Sequence, residues 1–426
     1  MFKALTIAGS DSGGGAGMQT DLKTFAALGV YGTSVITALT AQNTRGVHGI
    51  HSVPATFIVC QLEAVLSDIP VHAAKTGMLG EATAIKEVAR MLTKHRLASL
   101  VVDPVMVAQS GDTLLAQDAI SVLRDKLLPL ALLVTPNLPE AGVLLDREIT
   151  SLEQMETAAR DIHLLGPRYV LVKGGHLPGE KMVDVFYDGK DTHHLSVAKI
   201  KTSHTHGTGC TYAAAVTAYL ARGHTPLEAV HLAKNFITTA ISHGLCVGQG
   251  YGPTDPMGGL RRELAERRVS EELCHAFLAL QTTPGAAKLL APGVSNLYFC
   301  LEEASTTKDL AAFPAPFFVC DGQIRAAAGP VFGHQSWAAD LLLATHRQNA
   351  RIRSLLVLRF AEEALEASEV LGWALGKLGE LELPKLPCIV LGRGGPSEEL
   401  FIGLLGSSPA ELVRDFSALA GRFRSC

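Results

Sequence analysis

Short apolar runs alternate with amphipathic stretches through the first two thirds of the chain. Residues 4–8, 31–39, 71–76, 100–103, 131–135 and 170–173 read as strands. Helical spacing separates them. In 18–28, Met18, Leu22, Phe25 and Leu28 share one face and Gly29 is the stop. Further helices are expected at 81–95, at 116–128 and from 136–140 onward, and a hairpin near 183–187 and 192–197. Strands alternating with helices predict an α/β domain with a mainly parallel sheet covered on both faces. The charged run 261–268 closes this pattern, so a boundary is expected at 262–270, with domains at 1–265 and 270–426. The second domain reads as α+β. A helix is expected at 271–281, strands at 294–301 and 316–320, and a hairpin turn at Asp321-Gly322 between 317–320 and 323–327. Helices at 335–346 and 361–378 flank a strand at 355–360, and a strand at 388–392 precedes a last helix at 409–421.

Composition narrows the class. The chain's 426 residues exceed one typical core, and 47% hydrophobic with 18% charged residues excludes disorder. A net charge of -4 without a basic run gives no reason to expect nucleic acid. No apolar stretch reaches the ~18 residues of a membrane span, and the N-terminus runs into a strand with no signal-peptide pattern. Eight cysteines without a C-x-x-C pair argue against a disulfide framework and a zinc site, which points to a reducing cytoplasm.

Candidate chemistry gathers where strands end: Asp11, Gln42, Asp103, Asn137 and Lys173. In open parallel sheets the ligand crevice lies off those ends. Each has a plain alternative. Asn137 with Glu140 is a capping-box pattern, Asp103 ends a strand before Pro104, Lys173 is a solvated cation, and Gln42 is a turn residue. Asp21 and Lys23 lie off the apolar helix face, where a solvated charge is expected. Gly9-Ser10-Asp11-Ser12-Gly13-Gly14-Gly15-Ala16-Gly17 is not a P-loop and fits the dinucleotide fingerprint poorly. His206-Gly207-Thr208-Gly209-Cys210 opens a helix. Its free N–H groups and dipole suit a phosphate or an oxyanion, and a thiol there should have its thiolate stabilised. The alternative is a tight helix start with Cys210 as a small hydrophobe. Together these residues offer carboxylates for hydrated magnesium, a cation for phosphate and a helix terminus for a transferred group, the parts of phosphoryl transfer.

Seven ordered motifs make the reading specific. The glycine-rich loop with Asp21-Leu22-Lys23-Thr24 is followed by Ala41-Gln42-Asn43-Thr44-Arg45-Gly46, Lys75-Thr76-Gly77-Met78-Leu79 and Asp103-Pro104-Val105-Met106. Then come Thr135-Pro136-Asn137-Leu138-Pro139-Glu140-Ala141, Lys173-Gly174-Gly175-His176 and the loop at 206–210. Over about residues 1–260 the chain resembles the hydroxymethylpyrimidine/phosphomethylpyrimidine kinases (ThiD-type) of the ribokinase-like superfamily. The resemblance implies a three-layer αβα sandwich and ATP-dependent phosphorylation of hydroxymethylpyrimidine and its monophosphate for thiamine synthesis. It places Gln42, Gly9, Ala16, Asp21 and Met78 around the pyrimidine, and Gly207, Thr208, Gly209 and Cys210 at the transferring phosphoryl. Cys210 stands where most superfamily members carry an Asp base. Lys173, Asn137 and Glu140 would serve ATP, and Asp103 with Glu140 would serve Mg²⁺. It also implies a homodimer and some pyridoxal kinase-like activity.

The last third resembles the ThiN-type thiamine-phosphate synthase domain. The matching pieces are Gly329-Pro330-Val331-Phe332-Gly333, Ile352-Arg353-Ser354, Leu358-Arg359-Phe360 and a glycine-rich loop with Glu398. It departs where chemistry would sit. The family's Ser-Ser-His aligns with Gln335-Ser336-Trp337, an Arg with Asp340, and a Lys with Ser397. His334, Arg359 and Glu398 remain as candidate residues, with His334 in place of the displaced His. Losing cations weakens a phosphate site by ~1.5–3 kcal/mol per charged hydrogen bond. The expectation is therefore a kinase whose second domain binds a thiamine-pathway ligand or is structural. The alternative is a bifunctional kinase and synthase. A chain that only senses is disfavoured by the intact loop at 206–210.

Overall fold

The computed structural model describes all residues except 107–114, 116, 176, 178, 292, 378–385, 387, 395–398 and 423–426. The chain divides into two compact units, Met1–Leu260 and Arg261–Cys426.

The first unit is built on a nine-stranded sheet. Its strands are β1 (Lys3–Asp11), β2 (Tyr31–Asn43), β3 (Gly46–Ser52), β4 (Ala73–Thr76), β5 (Leu100–Val102), β6 (Leu133–Val134), β7 (Tyr169–Val172), β8 (Lys181–Tyr187) and β9 (Thr192–Ala198). Their spatial order is β3-β2-β1-β4-β5-β6-β7-β8-β9. The six strands from β2 to β7 run parallel, and β3, β8 and β9 join antiparallel. The helices are α1 (Gly17–Ala27), α2 (Ala55–Leu66), α3 (Ala82–Lys94), α4 (Gln117–Val122), α5 (Leu138–Leu145), α6 (Leu152–His163), α7 (Thr208–Ala221) and α8 (Pro226–Ser242). On one face Leu5, Ala74, Leu100 and Val134 pack with α2 to α6. On the other, Ala4, Ala73, Val101 and Leu133 pack with α1, α7 and α8. This is the expected three-layer αβα sandwich, of the ribokinase-like kind.

Four elements were not legible. β3 has no buried residue, so it shows no in-out alternation. α2, α6 and α8 were passed over, although Ser151 caps α6 and a Thr225–Glu228 capping box opens α8.

The second unit holds α9 (Gly258–Thr282), α10 (Ala286–Leu289), α11 (Trp337–Gln348), α12 (Glu362–Val370) and α13 (Pro409–Arg422). Its strands are β10 (Leu297–Cys300), β11 (Leu310–Ala312), β12 (Phe318–Cys320), β13 (Gln323–Arg325), β14 (Val331–Phe332), β15 (Ser354–Arg359), β16 (Ala374–Lys377), β17 (Cys388–Gly394) and β18 (Glu399–Gly406). Seven form one sheet ordered β14-β11-β10-β15-β18-β17-β16, and β12 with β13 form the expected hairpin. Asp321 and Gly322 both take positive φ, 51° and 70°, as its two-residue turn demands.

The charged run 261–268 lies within α9, and its charges pair one turn apart (Arg262–Glu266 at 2.7 Å, Arg267–Glu271 at 2.9 Å). Two expectations are corrected. The helix expected at 361–378 stops at Val370, where Gly372 at φ 70° turns the chain into β16. β18, inside the sheet between β15 and β17, is an element the sequence pattern does not predict, since Gly403 and Gly406 interrupt its apolar run. A Cβ on Gly403 would lie 3.0 Å from Leu355 Cδ1, so the strand packs closely there. No described helix is long and apolar enough to cross a membrane.

Candidate active site

Strand alternation assembles the site. The parity that points Ala73, Val101, Leu133 and Leu171 toward α7 also points Lys75, Asp103, Thr135 and Lys173 that way at the strand ends. α7 packs across β1, β4 and β5 and brings its N-terminus to this row. Lys173 Nζ donates to Asp103 Oδ1 at 2.9 Å, and Thr135 Oγ1 donates to the same oxygen at 3.1 Å. A Cβ on Gly209 would lie 3.3 Å from Lys173 Nζ and 3.8 Å from Asp103 Oδ2. The first turn of α7 therefore faces a largely buried cation and its carboxylate. Burial acts to lower the Lys173 pKa, but Asp103 and Glu140 more than offset it and raise it, so the ammonium stays charged.

Asn137 and Glu140 do form the capping box of α5. Asn137 N–H donates to Glu140 Oε2 and Glu140 N–H to Asn137 Oδ1, both at 2.8 Å. Burial first, and then Asp103, push the Glu140 carboxyl up to about 7, against the pull of Lys173. A carboxylate so placed is stabilised by a further cation. Asp103 and Glu140 are the hard oxygen donors that magnesium takes in ones or twos beside phosphate oxygens, so these residues fit that ion.

The side expected to hold the pyrimidine is built from β1, the 12–16 loop and the end of β2. Asp11 accepts from the N–H groups of Gly13, Gly15 and Ala16 at 2.8, 3.0 and 2.8 Å, and from His206 Nε2 at 3.1 Å. Burial opposes its charge, but His206 and the backbone donors more than offset this and hold its carboxyl below the ordinary value. The loop is thereby tied to the residue just before Gly207. Ser12 Oγ donates to Gln42 O at 2.8 Å, Thr40 Oγ1 donates to Gln42 Oε1 at 3.1 Å, and Gln42 Nε2 lies 3.5 Å from His206 Nε2. Gly9 and Met78 are neighbours, since a Cβ on Gly9 would sit 3.1 Å from Met78 Sδ. Ala16 precedes α1 and keeps partial exposure.

Two expectations change here. Asp21 is neither solvated nor free to meet a ligand. It is 0% exposed, accepts from Lys75 Nζ at 2.9 Å and from Thr6 Oγ1 at 2.6 Å, and so acts on the site through Lys75. Burial would lower the Lys75 pKa, but Asp21, Cys210 and Asp103 more than offset it and keep the lysine charged.

Cys210 is the second change. It retains some surface, yet the atoms packed around its sulphur push the thiol up to about 11, with Lys75 pulling the other way and Asp21 and Asp103 reinforcing the rise. Near neutral pH it is a thiol, not a preformed thiolate base. Peptide-resolved alkylation should therefore find Cys210 slow to react with iodoacetamide at pH 7. Its rate should gain about tenfold per pH unit up to about 11. A midpoint at or below the ordinary thiol value would overturn this account.

Sequence reasoning missed Lys75, His206 and Thr135 as site residues. Lys75 and His206 stood inside quoted motifs, but nothing local announces their partners. In the second unit, Arg359 ends β15 on the face of Leu355 and Val357, opposite Phe401, against which Trp337 packs at 4.2 Å. His334 lies edge-on to Tyr298 at 5.9 Å, and its Nδ1 is buried without a partner among the described residues. Ser336 caps α11 and its Oγ donates to the Tyr298 hydroxyl at 3.3 Å. Glu398 lies outside the described residues.

Residues 11–255 match the family model of phosphomethylpyrimidine kinase, and residues 272–417 match that of thiamine-phosphate synthase ThiN. The chain is 54% identical over 251 residues to the thiamine biosynthesis bifunctional protein ThiED of Geobacter sulfurreducens, covering 59% of this chain and 51% of that one. It is 44% identical over 269 residues to the hydroxymethylpyrimidine/phosphomethylpyrimidine kinase of Bacillus subtilis, covering 63% and 99%. A solved pyridoxal kinase from Staphylococcus aureus, in complex with AMP-PCP and pyridoxal, aligns at a TM-score of 0.58 and 41% identity, covering 62% and 95%. The chain spans about half the length of the bifunctional relatives it matches.

Proposed function

The chain belongs to the phosphomethylpyrimidine kinase family, and from that premise we propose that its first unit phosphorylates hydroxymethylpyrimidine and then its monophosphate, at the expense of ATP, in thiamine biosynthesis. The observation that carries this is the meeting of the α7 N-terminus with the Lys173–Asp103 pair, beside the 12–16 loop, where Gln42 and His206 lie 3.5 Å apart.

The N–H groups of Gly207, Gly209 and Cys210 receive the transferring phosphoryl group, whose charge the helix terminus stabilises. Lys173 holds ATP phosphate oxygens on the other side. Asp103 and Glu140 would hold magnesium, which would supply charge neutralisation at the phosphates. Gln42 orients the pyrimidine through its amide, so the hydroxymethyl oxygen points at the phosphoryl group. A loose transition state asks little of a base: the hydroxyl oxygen bonds to the phosphoryl group as ADP leaves, the hydroxyl proton passes to an oxygen of the transferred group, and the Cys210 thiol serves as a hydrogen-bonding group at the substrate hydroxyl. Gln42→Ala is expected to raise the pyrimidine KM about tenfold or more through the lost hydrogen bonds, with thermal stability unchanged. An unchanged KM removes Gln42 from the site.

For the second unit, we read a domain that binds a thiamine-pathway ligand or is structural. Its match to the ThiN model favours a second reading, a bifunctional kinase and synthase. One reaction mix tests both: protein, ATP, magnesium, hydroxymethylpyrimidine and hydroxyethylthiazole phosphate, resolved by chromatography. Pyrimidine diphosphate alone supports the first reading, and thiamine phosphate supports the second. Neither product means that the kinase reading is wrong. A homodimer and a cytoplasmic location complete the proposal. The second rests on the free cysteines at 60, 210, 246, 274, 300, 320 and 388.

A further inference from the structure

Lys173 is held from behind. Gly174 N–H donates to Asp184 Oδ1 of β8 at 3.0 Å, and Asp184 Oδ2 accepts from Lys234 Nζ of α8 at 2.6 Å. Both are buried, at 2% and 7% exposure. Lys234 Nζ also stands 5.9 Å from the ring of Tyr212, two residues past Cys210 in α7. Gly174 has no room for a side chain: a Cβ would run into the Val183 carbonyl and lie 2.9 Å from Met155 Cε. One buried carboxylate thus joins the end of β7, β8 and α8, and its lysine touches the helix whose first turn faces Lys173.

A buried ion pair is poor evidence for stability, because apolar replacements of similar size often serve as well. What an apolar pair cannot supply is a directed acceptor for the N–H of the residue following Lys173. We propose that Asp184 and Lys234 are positioning residues for phosphoryl transfer. Asp184, oriented by Lys234, fixes the Gly174 backbone and with it the place of the Lys173 ammonium relative to the N-terminus of α7. The proposal rests on the kinase reading above.

Two double variants test it, both free of a stranded charge. Asp184→Leu/Lys234→Met removes the acceptor and the charges. Asp184→Asn/Lys234→Met removes the charges and keeps an oxygen for Gly174 N–H. The leucine variant is expected to lose about 30-fold or more in kcat, in line with the cost of a misplaced group of order an ångström. Its pyrimidine KM should stay within about twofold, because Gln42 is not part of this network. The asparagine variant should recover most of the loss. Thermal unfolding and active-site titration give the folded fraction for each. Should the leucine variant not fold, Asp184→Ala/Lys234→Met replaces it and is read the same way. Wild-type kcat in the acceptor-free variant overturns the proposal, as does an equal fall in both variants, which would mean packing alone. If the wild-type protein itself phosphorylates no pyrimidine, the kinase reading falls, and this proposal with it.

Discussion

Replacing Lys173 by methionine is expected to lower kcat about a thousandfold while leaving pyrimidine binding in place. Two losses combine. The phosphates lose a charge-assisted donor, worth ~1.5–3 kcal/mol. Asp103, 2% exposed, also loses its ion-pair partner beside Glu140. Two carboxylates then face the incoming phosphates with no ammonium between them. About 4 kcal/mol in all corresponds to about three orders of magnitude in rate. The measurement is steady-state kinetics with both substrates, paired with calorimetric binding of the pyrimidine and thermal unfolding, since a broken buried pair also costs stability. A fall of less than tenfold in kcat for folded protein would show that the phosphates do not rest on Lys173.

Gly207→Ala should be the most damaging single methyl group in the first unit. Gly207 has φ 77°, where a side chain costs ~1–2 kcal/mol. Its Cβ would also run into the carbonyl of Gly15. To make room, either the α7 N-terminus or the 12–16 loop must move. The first carries the N–H groups proposed to receive the phosphoryl group, and the second is held by Asp11 through three backbone donors. Both kcat and the pyrimidine KM should therefore worsen, with kcat/KM falling about a thousandfold or more. Gly209→Ala makes the contrast. Gly209 is already helical, and a Cβ there meets Lys173 Nζ at 3.3 Å, the far end of a flexible side chain, and Asp103 Oδ2 at an ordinary 3.8 Å. Its effect should fall mainly on kcat and be the smaller by at least tenfold. Equal effects would mean that the Gly207–Gly15 approach is unimportant.

The candidate site was legible where its logic is local. The Asn137–Glu140 box spans three residues, so the sequence pattern and the two 2.8 Å bonds are the same fact seen twice. The placing of polar groups at strand ends follows from alternating strands and helices, which put ligands off the carboxyl ends of a parallel sheet. The weak places were equally physical. A strand exposed on both faces, as β3 is, and a strand carrying two glycines for close packing, as β18 does, show no periodicity to detect.

The sequence by itself determined the αβα layering of the first unit, the strand ends that carry chemistry, and the loop at 206–210 that opens α7. Each depends on patterns repeating every two to four residues, the range over which a strand or helix sets its own geometry. Only the tertiary structure decided the partners. Asp21 finds Lys75 across 54 positions, Asp103 finds Lys173 across 70, Asp184 finds Lys234 across 50, and Asp11 finds His206 across 195. Strand order and side-chain parity set those pairings, and neither is written in any one segment. The same holds for Cys210. Its place at a helix start predicts an easily formed thiolate, but the packing of α7 against α1 and the sheet surrounds the sulphur with protein and reverses the sign.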